Sequence, residues 1–587
     1  MSILNESLAG RIKAPSGRGA GSAADRAALR PRDGRSYVTG DRTPPLWHIT
    51  VPQLLRQTVA RFGPRDAAIF AAQGERLSWY DLDRRVDALA AGFLALGLGK
   101  GDRVGIWSPN RIEWVLTQFA TARIGAILVN INPAYRAAEV EYALNKVGCA
   151  ALVLAERFKA SHYLETIRAL APELDRAEPG RLSAARLPHL RAVIVMADDP
   201  GPGAFSFDQL TRLGGPAQQL RLEAVDRTLD PDEAINIQFT SGTTGAPKGA
   251  TLSHYNIVNN ARFVADRIRL TETDRLCIPV PLYHCFGMVM GVLGCVSRGA
   301  AMVFPGEGFE AETTLDAIAA ERCTGLYGVP TMFTAMLAAQ AARRRDLGAL
   351  RTGIMAGAPC PIEVMERVIA EMNMAEVTIC YGMTETAPVS FQSFTDDPVM
   401  ERCTTVGRIH PHLEVKLVGA DGAIVPVGAT GELCTRGYSV MKGYWDDSEQ
   451  TAAAIRDGWM MTGDLAVLDE QGFCRIVGRV KDMIIRGGEN IYPREIEEFL
   501  YRHPKVAQAQ VFGIPDPELG ELVCAWIVPA PGAEPSEDEL RAHCAGQIAH
   551  YKVPRHIRIV DELPMTVTGK PQKFVMRERM IELLKPG

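Results

Sequence analysis

The sequence predicts an α/β fold in two parts: a large N-terminal domain of helix-covered β-sheets and a small α+β C-terminal domain. Short apolar runs alternate with helix-periodic stretches through most of the chain. A length of 587 residues also exceeds what one hydrophobic core ordinarily serves. In order, "TVPQLLRQTVARF" (50–62) and "WYDLDRRVDALAAGFLALG" (79–97) carry helical spacing. "RVGIWSP" (103–109), "AILVNIN" (126–132), "AALVLA" (150–155) and "RAVIVMA" (191–197) are strand-length apolar runs bounded by turn residues. A "DEQGF" turn at 469–473 closes the large part. Beyond "GRVKD" (478–482), "REIEEFLYRHP" reads as a helix, and "VAQAQVFGIP" and "CAWIVPA" read as strands. The expected division is a disordered tail over 1–46, a large domain over 47–477, a hinge approach at 478–480 and a cap over 481–587.

Composition removes several classes of function. The apolar share of 47% and charged share of 23% are those of a globular chain. A net charge of −5 argues against nucleic acid as a partner. The 12 cysteines are scattered with no C-x-x-C pair, which is neither a zinc framework nor a disulfide scaffold, and suits a reducing compartment. "LCIPVPLYHCFGMVMGVLGCV" (276–296) is the most apolar stretch, but Pro279, Pro281, Tyr283 and His284 interrupt it. It is expected to be buried core and pocket wall rather than a transmembrane segment, with peripheral membrane contact left open. The tail, rich in Gly, Ala and Arg, lacks apolar periodicity. A bacterial cytoplasmic location is expected, with the mitochondrial matrix as the alternative if that basic tail is a transit peptide.

The chemistry concentrates in "IQFTSGTTGAPKGATLSH" (237–254). Thr240, Ser241, Thr243, Thr244, Gly242, Gly245 and Lys248 put hydroxyls, bare backbone and one cation within a few positions. Glycines let backbone N–H groups approach an anion, hydroxyls donate to phosphate oxygens, and lysine supplies charge. The stretch is not a Walker A loop, because Pro247 precedes Lys248 and Gly249 follows it.

"FTSGTTGAPKG" resembles the phosphate-loop signature of the adenylate-forming (AMP-binding) superfamily, which includes acyl-CoA synthetases. "YGMTET" (381–386), "GELCTRGY" (431–438), "TGD" (462–464), "GRVKDMIIRGGENIYPREIE" (478–497) and "TGK" (568–570) follow in that family's order. The wording of "PLYHCFG", "YGVPTMF", "GELCTRGY" and "RGGENIYP" is especially similar to the acyl-CoA synthetase family member 2 branch, which acts on medium-chain fatty acids. The resemblance implies an enzyme that joins a carboxylate to the α-phosphate of ATP, expels pyrophosphate, and passes the acyl group to coenzyme A. It also implies roles. Glu385 matches the Mg²⁺-holding acid, and Thr384 the donor to the α-phosphate. Tyr381, next to Gly382, would lie on the adenine, with Gly357 and Ala358 also in the nucleotide site. Asp464 would take the ribose and Arg479 the ribose or phosphates. Lys481 takes the hinge position, Gly487 and Gly488 line the pantetheine tunnel, and Lys570 meets the carboxylate and α-phosphate during adenylation. Glu385, Thr384, His284 and Lys570 are thus the expected catalytic set.

His284 matches a position beside the acyl carboxylate. Between Cys277 and Val296 no acid could pair a substrate ammonium, and an unpaired buried ammonium is costly, so an uncharged acyl tail is expected. Cys285, Phe286, Gly287, Met288, Tyr327 and Thr331 are candidate pocket residues, and methionine with glycine suggests an adaptable tunnel for aliphatic chains. The expected function is ligation of coenzyme A to a medium- to long-chain fatty acid. The alternatives are an aryl or short or branched acid ligase, and a non-catalytic nucleotide-binding protein. The expected partners are small-molecule substrates, with a homodimer left open.

Overall fold

The structure is a computed structural model that describes residues 26, 28–240, 247–486, 489–565 and 571–584. Its largest sheet runs in the order Phe205–Ser206, Ala192–Val195, Cys149–Leu154, Arg103–Trp107, Ile127–Asn130, Ala234–Thr240, Lys248–Ser253 and Gly443–Tyr444. The pairs are parallel as far as Ala234–Thr240 and antiparallel beyond it. Covering helices bury both faces of its parallel strands, so Cys149–Leu154 is buried at every position and reads as a continuous apolar run. A second sheet runs Glu376–Thr378, Thr352–Met355, Gly325–Gly328, Arg275–Cys277, Ala301–Phe304, Asp66–Phe70 and Glu75–Ser78.

The first two helices begin where local chemistry dictates. Thr50 caps Val51–Phe62 through a reciprocal bond with Gln53, and Ser78 caps Trp79–Ala95 through the same exchange with Asp81. Each satisfies N–H groups that a helix start would otherwise leave bare. Trp79, Leu82, Val86, Leu89 and Phe93 then recur on one buried face in the main core.

An antiparallel sheet runs Tyr37–Thr39, Leu413–Val418, Gly431–Gly437, Trp459–Leu468 and Ile455–Arg456, with Cys474–Arg479 also paired to Trp459–Leu468. Its first strand corrects the expected disordered tail over 1–46. Residues 28–46 are part of the fold, and Tyr37–Thr39 pairs with Glu414–Lys416. Val38 and Leu29 are buried in the core of that sheet. Composition did not reveal this because three residues suffice for an edge strand, too few for periodicity to register.

The C-terminal segment builds its own sheet from Glu489–Ile491, Ile484–Arg486, Gly520–Pro529 and Val506–Asp516, with His556–Ile559 added in parallel. Ile484, Ile496, Leu500, Val511 and Ile527 form a core of their own there. The apolar stretch 276–296 is interior, as expected. Part of it, Phe286–Leu293, is a π-helix buried at every position, a geometry that often marks functional sites. Among the described residues no helix is long and apolar enough to cross a membrane.

Two buried histidines make the fold acid-sensitive. His254 Nδ1 accepts the Val51 N–H at 3.1 Å, and burial depresses its pKa to about 3. His410, 3.0 Å from Gln392 Oε1, is pushed well below its ordinary value by burial and then by Arg267. In the unfolded chain both protonate near pH 6.5. The unfolded state therefore binds more protons below that pH, and stability, full above it, falls as pH drops toward 3. Each histidine contributes up to about 1.4 kcal/mol per pH unit. Urea midpoints should fall between pH 7 and 5, and less steeply in His254→Gln; an unchanged slope in that variant would refute the assignment. Val38→Ala should cost roughly 1–3 kcal/mol by the same assay, whereas a residue in a disordered tail would cost nothing.

Candidate active site

Two buried carboxylates organise the region where the sheets meet. Strand Ala234–Thr240 ends at Thr240, whose hydroxyl donates to Glu385 Oε1 at 3.3 Å. The Tyr444 hydroxyl donates to the same oxygen at 2.9 Å. Glu385 sits in a tight turn, Thr384–Thr386, and is only 5% exposed. The Met441 N–H anchors its backbone carbonyl at 2.9 Å. Burial and the neighbouring carboxylate raise the Tyr444 pKa, so its phenol remains a donor. Lys248 opens the next strand directly opposite Thr240. Its Nζ donates to Gln450 Oε1 at 2.5 Å and lies 5.2 Å from the Tyr444 ring centroid.

The second carboxylate is Asp464, 7% exposed. The Tyr381 hydroxyl donates to Oδ2 at 2.5 Å and Arg479 Nε to Oδ1 at 2.9 Å. Asp464 and Arg479 are direct partners across an antiparallel strand pair, so the register of the sheet makes this ion pair. Burial opposes the Arg479 charge, but Asp464 and Asp482 outweigh it and hold the pKa up. Burial first, then Asp464, pushes the Tyr381 phenol well above its ordinary value. The turn itself is pinned: Glu432 Oε1 accepts the Gly463 N–H at 3.1 Å, and the Thr462 hydroxyl donates to the Leu433 carbonyl at 2.7 Å. This accounts for "GEL" beside "TGD". Gly382 is required by contact, because a Cβ there would stand 1.7 Å from the Pro388 carbonyl oxygen.

A third group gathers around the π-helix. His284 is half-buried and its Nδ1 accepts the Phe286 N–H at 3.2 Å, which places a ring proton on Nε2 when the imidazole is neutral. The Phe286 and Tyr327 rings lie 5.3 Å apart, and the Tyr327 hydroxyl donates to the Met290 carbonyl at 3.3 Å. Met288 is buried. Gly287 has a packing reason, since a Cβ would lie 2.4 Å from the Pro281 carbonyl oxygen.

The structure therefore brings together Thr240, Lys248 and Glu385, and separately Tyr381, Asp464 and Arg479. Thr384 is half-buried beside Glu385, while Gly357, Ala358 and Thr331 are exposed. Gly357, at φ +90°, follows the strand Thr352–Met355. Lys481 is exposed in a short turn, Val480–Asp482, between the large part's last strand and the small part's first. Ser241, Gly242, Thr243, Thr244, Gly245, Gly487, Gly488 and Lys570 lie outside the described residues. Sequence reasoning missed Tyr444, Gln450 and Glu432. Glu432 stands within the quoted "GELCTRGY", but a tyrosine about 60 positions from its carboxylate partner has no local pattern to betray it.

The comparisons with known proteins show the family. Residues 55–445 match the model of the AMP-binding enzyme family, and residues 495–570 match its C-terminal domain. The medium-chain acyl-CoA ligase ACSF2, mitochondrial, of Danio rerio is 49% identical over 93% of this chain and 90% of that protein. The putative acyl-CoA synthetase YngI of Bacillus subtilis is 48% identical over 92% of this chain and 98% of its own. The crystal structure of ATP-bound MatB from Rhodopseudomonas palustris superposes with a TM-score of 0.77 at 28% identity, covering 92% of this chain and 100% of that one. With most of its length matched and both carboxylate clusters assembled, the chain belongs to the AMP-binding enzyme family.

Proposed function

We propose that this chain is an ATP-dependent fatty acid–CoA ligase. It joins a fatty acid to the α-phosphate of ATP with loss of pyrophosphate, then transfers the acyl group to coenzyme A with release of AMP. Medium-chain acids are the substrates, and longer ones are the limit to be tested. The observation that carries the reading is near-half identity, over almost the whole chain, to a protein named a medium-chain acyl-CoA ligase.

The residues can be given tasks from what they touch. Tyr381 and Arg479 each hold one oxygen of Asp464, fixing the carboxylate so that its remaining lone pairs can take both hydroxyls of a ribose diol. The ring of Tyr381 is left for the adenine face. Lys248 would exchange Gln450 for a phosphate oxygen, with Ser241, Gly242, Thr243, Thr244 and Gly245 as donors from the loop between. Gly357 and Ala358 complete the nucleotide side, and Thr384 donates to the α-phosphate. Glu385 fits Mg²⁺: it is buried, and among the described residues both of its side-chain hydrogen bonds fall on Oε1 and no lysine or arginine pairs with it. When bound, that ion neutralises phosphate charge as pyrophosphate leaves. His284 is assigned to the acid's carboxylate, with Phe286, Met288 and Tyr327 walling the chain and Thr331 near the mouth. Preorganised donors and cations of this kind supply most of the catalysis where charge develops at phosphorus and carbonyl carbon.

Lys570 is assigned to adenylation, Gly487 and Gly488 to the pantetheine path, and Lys481 to the pivot about which the segment 481–587 turns between half-reactions. A homodimer and a peripheral membrane contact remain separate readings for sizing and vesicle experiments. Relatives named as mitochondrial and bacterial make a cytoplasmic or a matrix location the two readings for this chain.

The test is release of pyrophosphate and AMP with ATP, Mg²⁺ and fatty acids from butyrate to palmitate, with and without coenzyme A. Turnover that needs coenzyme A and peaks at medium length is expected; none with any fatty acid would overturn the reading. Asp464→Asn should raise the KM for ATP by about tenfold or more, as expected when one partner of a buried charge-assisted pair is lost. Lys570→Ala should abolish adenylate formation yet largely spare thioester formation from preformed acyl-AMP. Equal loss of both half-reactions would remove that assignment.

A further inference from the structure

Behind the candidate active site runs a buried line of amide side chains that none of the assigned roles uses. Asn236, Gln238 and Thr240 alternate along one strand and so share a face. The first two are 1% and 3% exposed, and Asn130, on the adjoining parallel strand, is 2% exposed. Polar residues at such positions are costly unless every group is met, and here they are met by one another. Asn236 Nδ2 donates to Asn130 Oδ1 at 2.9 Å, and Gln238 Nε2 donates to Asn236 Oδ1 at 2.9 Å.

The line fastens the segment carrying His284 on both sides. Asn130 Nδ2 donates to the Tyr283 carbonyl at 2.9 Å, and the Cys285 thiol donates to Gln238 Oε1 at 3.2 Å. Both amides also reach Met288 Sδ in the π-helix, at 3.4 and 3.5 Å. Burial pushes the Cys285 thiol up to about 12, so it is a donor at neutral pH. Two residues past Gln238 on the same face, Thr240 holds Glu385. The residues flanking His284 are thus tied to two adjoining strands, and Gln238, which holds Cys285, shares its strand with Thr240 at the phosphate side.

We propose that Gln238 is a positioning residue that couples the acid-binding segment around His284 to the nucleotide-binding end of its own strand, acting through the Cys285 thiol. The proposal rests on the assignment of His284 to the acid. Loss of the link lets residues 283–288 shift relative to Thr240 and Glu385 without unfolding the sheet. The reacting carboxylate then meets the α-phosphate less often in a productive arrangement. A displacement below an ångström in such a geometry costs on the order of tenfold in rate.

The decisive comparison is Cys285→Ala against Cys285→Ser, with Gln238→Leu alongside, in acid-dependent pyrophosphate exchange. Serine keeps a donor for Gln238 Oε1 and alanine does not. Cys285→Ala and Gln238→Leu should each raise the KM for fatty acid and lower the exchange rate, together by roughly tenfold, while the KM for ATP moves less than the KM for acid. Cys285→Ser should recover most of what Cys285→Ala loses. The double variant Gln238→Leu with Cys285→Ala should be no worse than Gln238→Leu alone, because both remove the same link. The proposal is overturned if serine and alanine behave alike, if the two single losses multiply, or if both KM values move together with thermal stability. If Gln238→Leu does not fold, the alanine–serine pair still decides. If the wild-type chain exchanges pyrophosphate with no acid, the function has failed; normal wild-type exchange with insensitive variants means that only the coupling has.

Discussion

A carboxylate removed from water must have its oxygens met, and that requirement holds the candidate site together. Glu385 and Asp464 are both nearly inaccessible, and neither is satisfied from within its own element. Thr240 and Tyr444 reach Glu385 from the large mostly parallel sheet. Tyr381, on a strand of a small antiparallel sheet, reaches Asp464, which Arg479 meets from the neighbouring strand. The sheets can pack only in arrangements that bring these donors to these oxygens. An unpaired buried charge would cost several kcal/mol, so the same bonds that shape the candidate site also fix the relative positions of the layers.

The π-helix Phe286–Leu293 shows how apolar packing and polar contacts are joined around His284. Its wider turn carries eight consecutive buried residues between the main core and the amide line of Asn130, Asn236 and Gln238. Gly287 lets the turn rest on the carbonyl of Pro281, and Gly291 lets it pack on the side chain of Ile278. Methionine sulfur serves as a soft acceptor for two amides at once. A segment that looks uniformly apolar in the sequence is therefore held by polar contacts as well, from the amide line on one side and from the Tyr327 hydroxyl of the second sheet.

How much could be read from the sequence depended on how far apart the interacting residues lie. The alternation of strands and helices, the buried character of 276–296 and the division near 478–482 are local patterns, and the structure shows the strands and helices they imply. Glu385, Asp464 and Arg479 could be singled out because they stand in ordered motifs, and the structure pairs Asp464 with Arg479 and Glu385 with Thr240. Tyr444, Gln450 and Glu432 act through contacts across sheets, where no spacing rule applies. The packing requirement at Gly287, a backbone contact at 2.4 Å, likewise lies between residues that no local pattern links. Strand Tyr37–Thr39 escaped notice because a Gly- and Arg-rich context masked three residues whose value lies in the edge they cover.

That edge has a practical side. The family match begins at residue 55, so a chain trimmed to it would lack the strand Tyr37–Thr39. Leu413–Val418 would then present a row of open N–H and C=O groups, flanked by apolar side chains that Val38 and Leu29 now shield. Bare edges of that kind pair with one another between molecules. Asp464 and Arg479 belong to the same sheet. Solubility and the integrity of the Asp464–Arg479 pair, usually treated as independent properties of a trimmed enzyme, would here decline together.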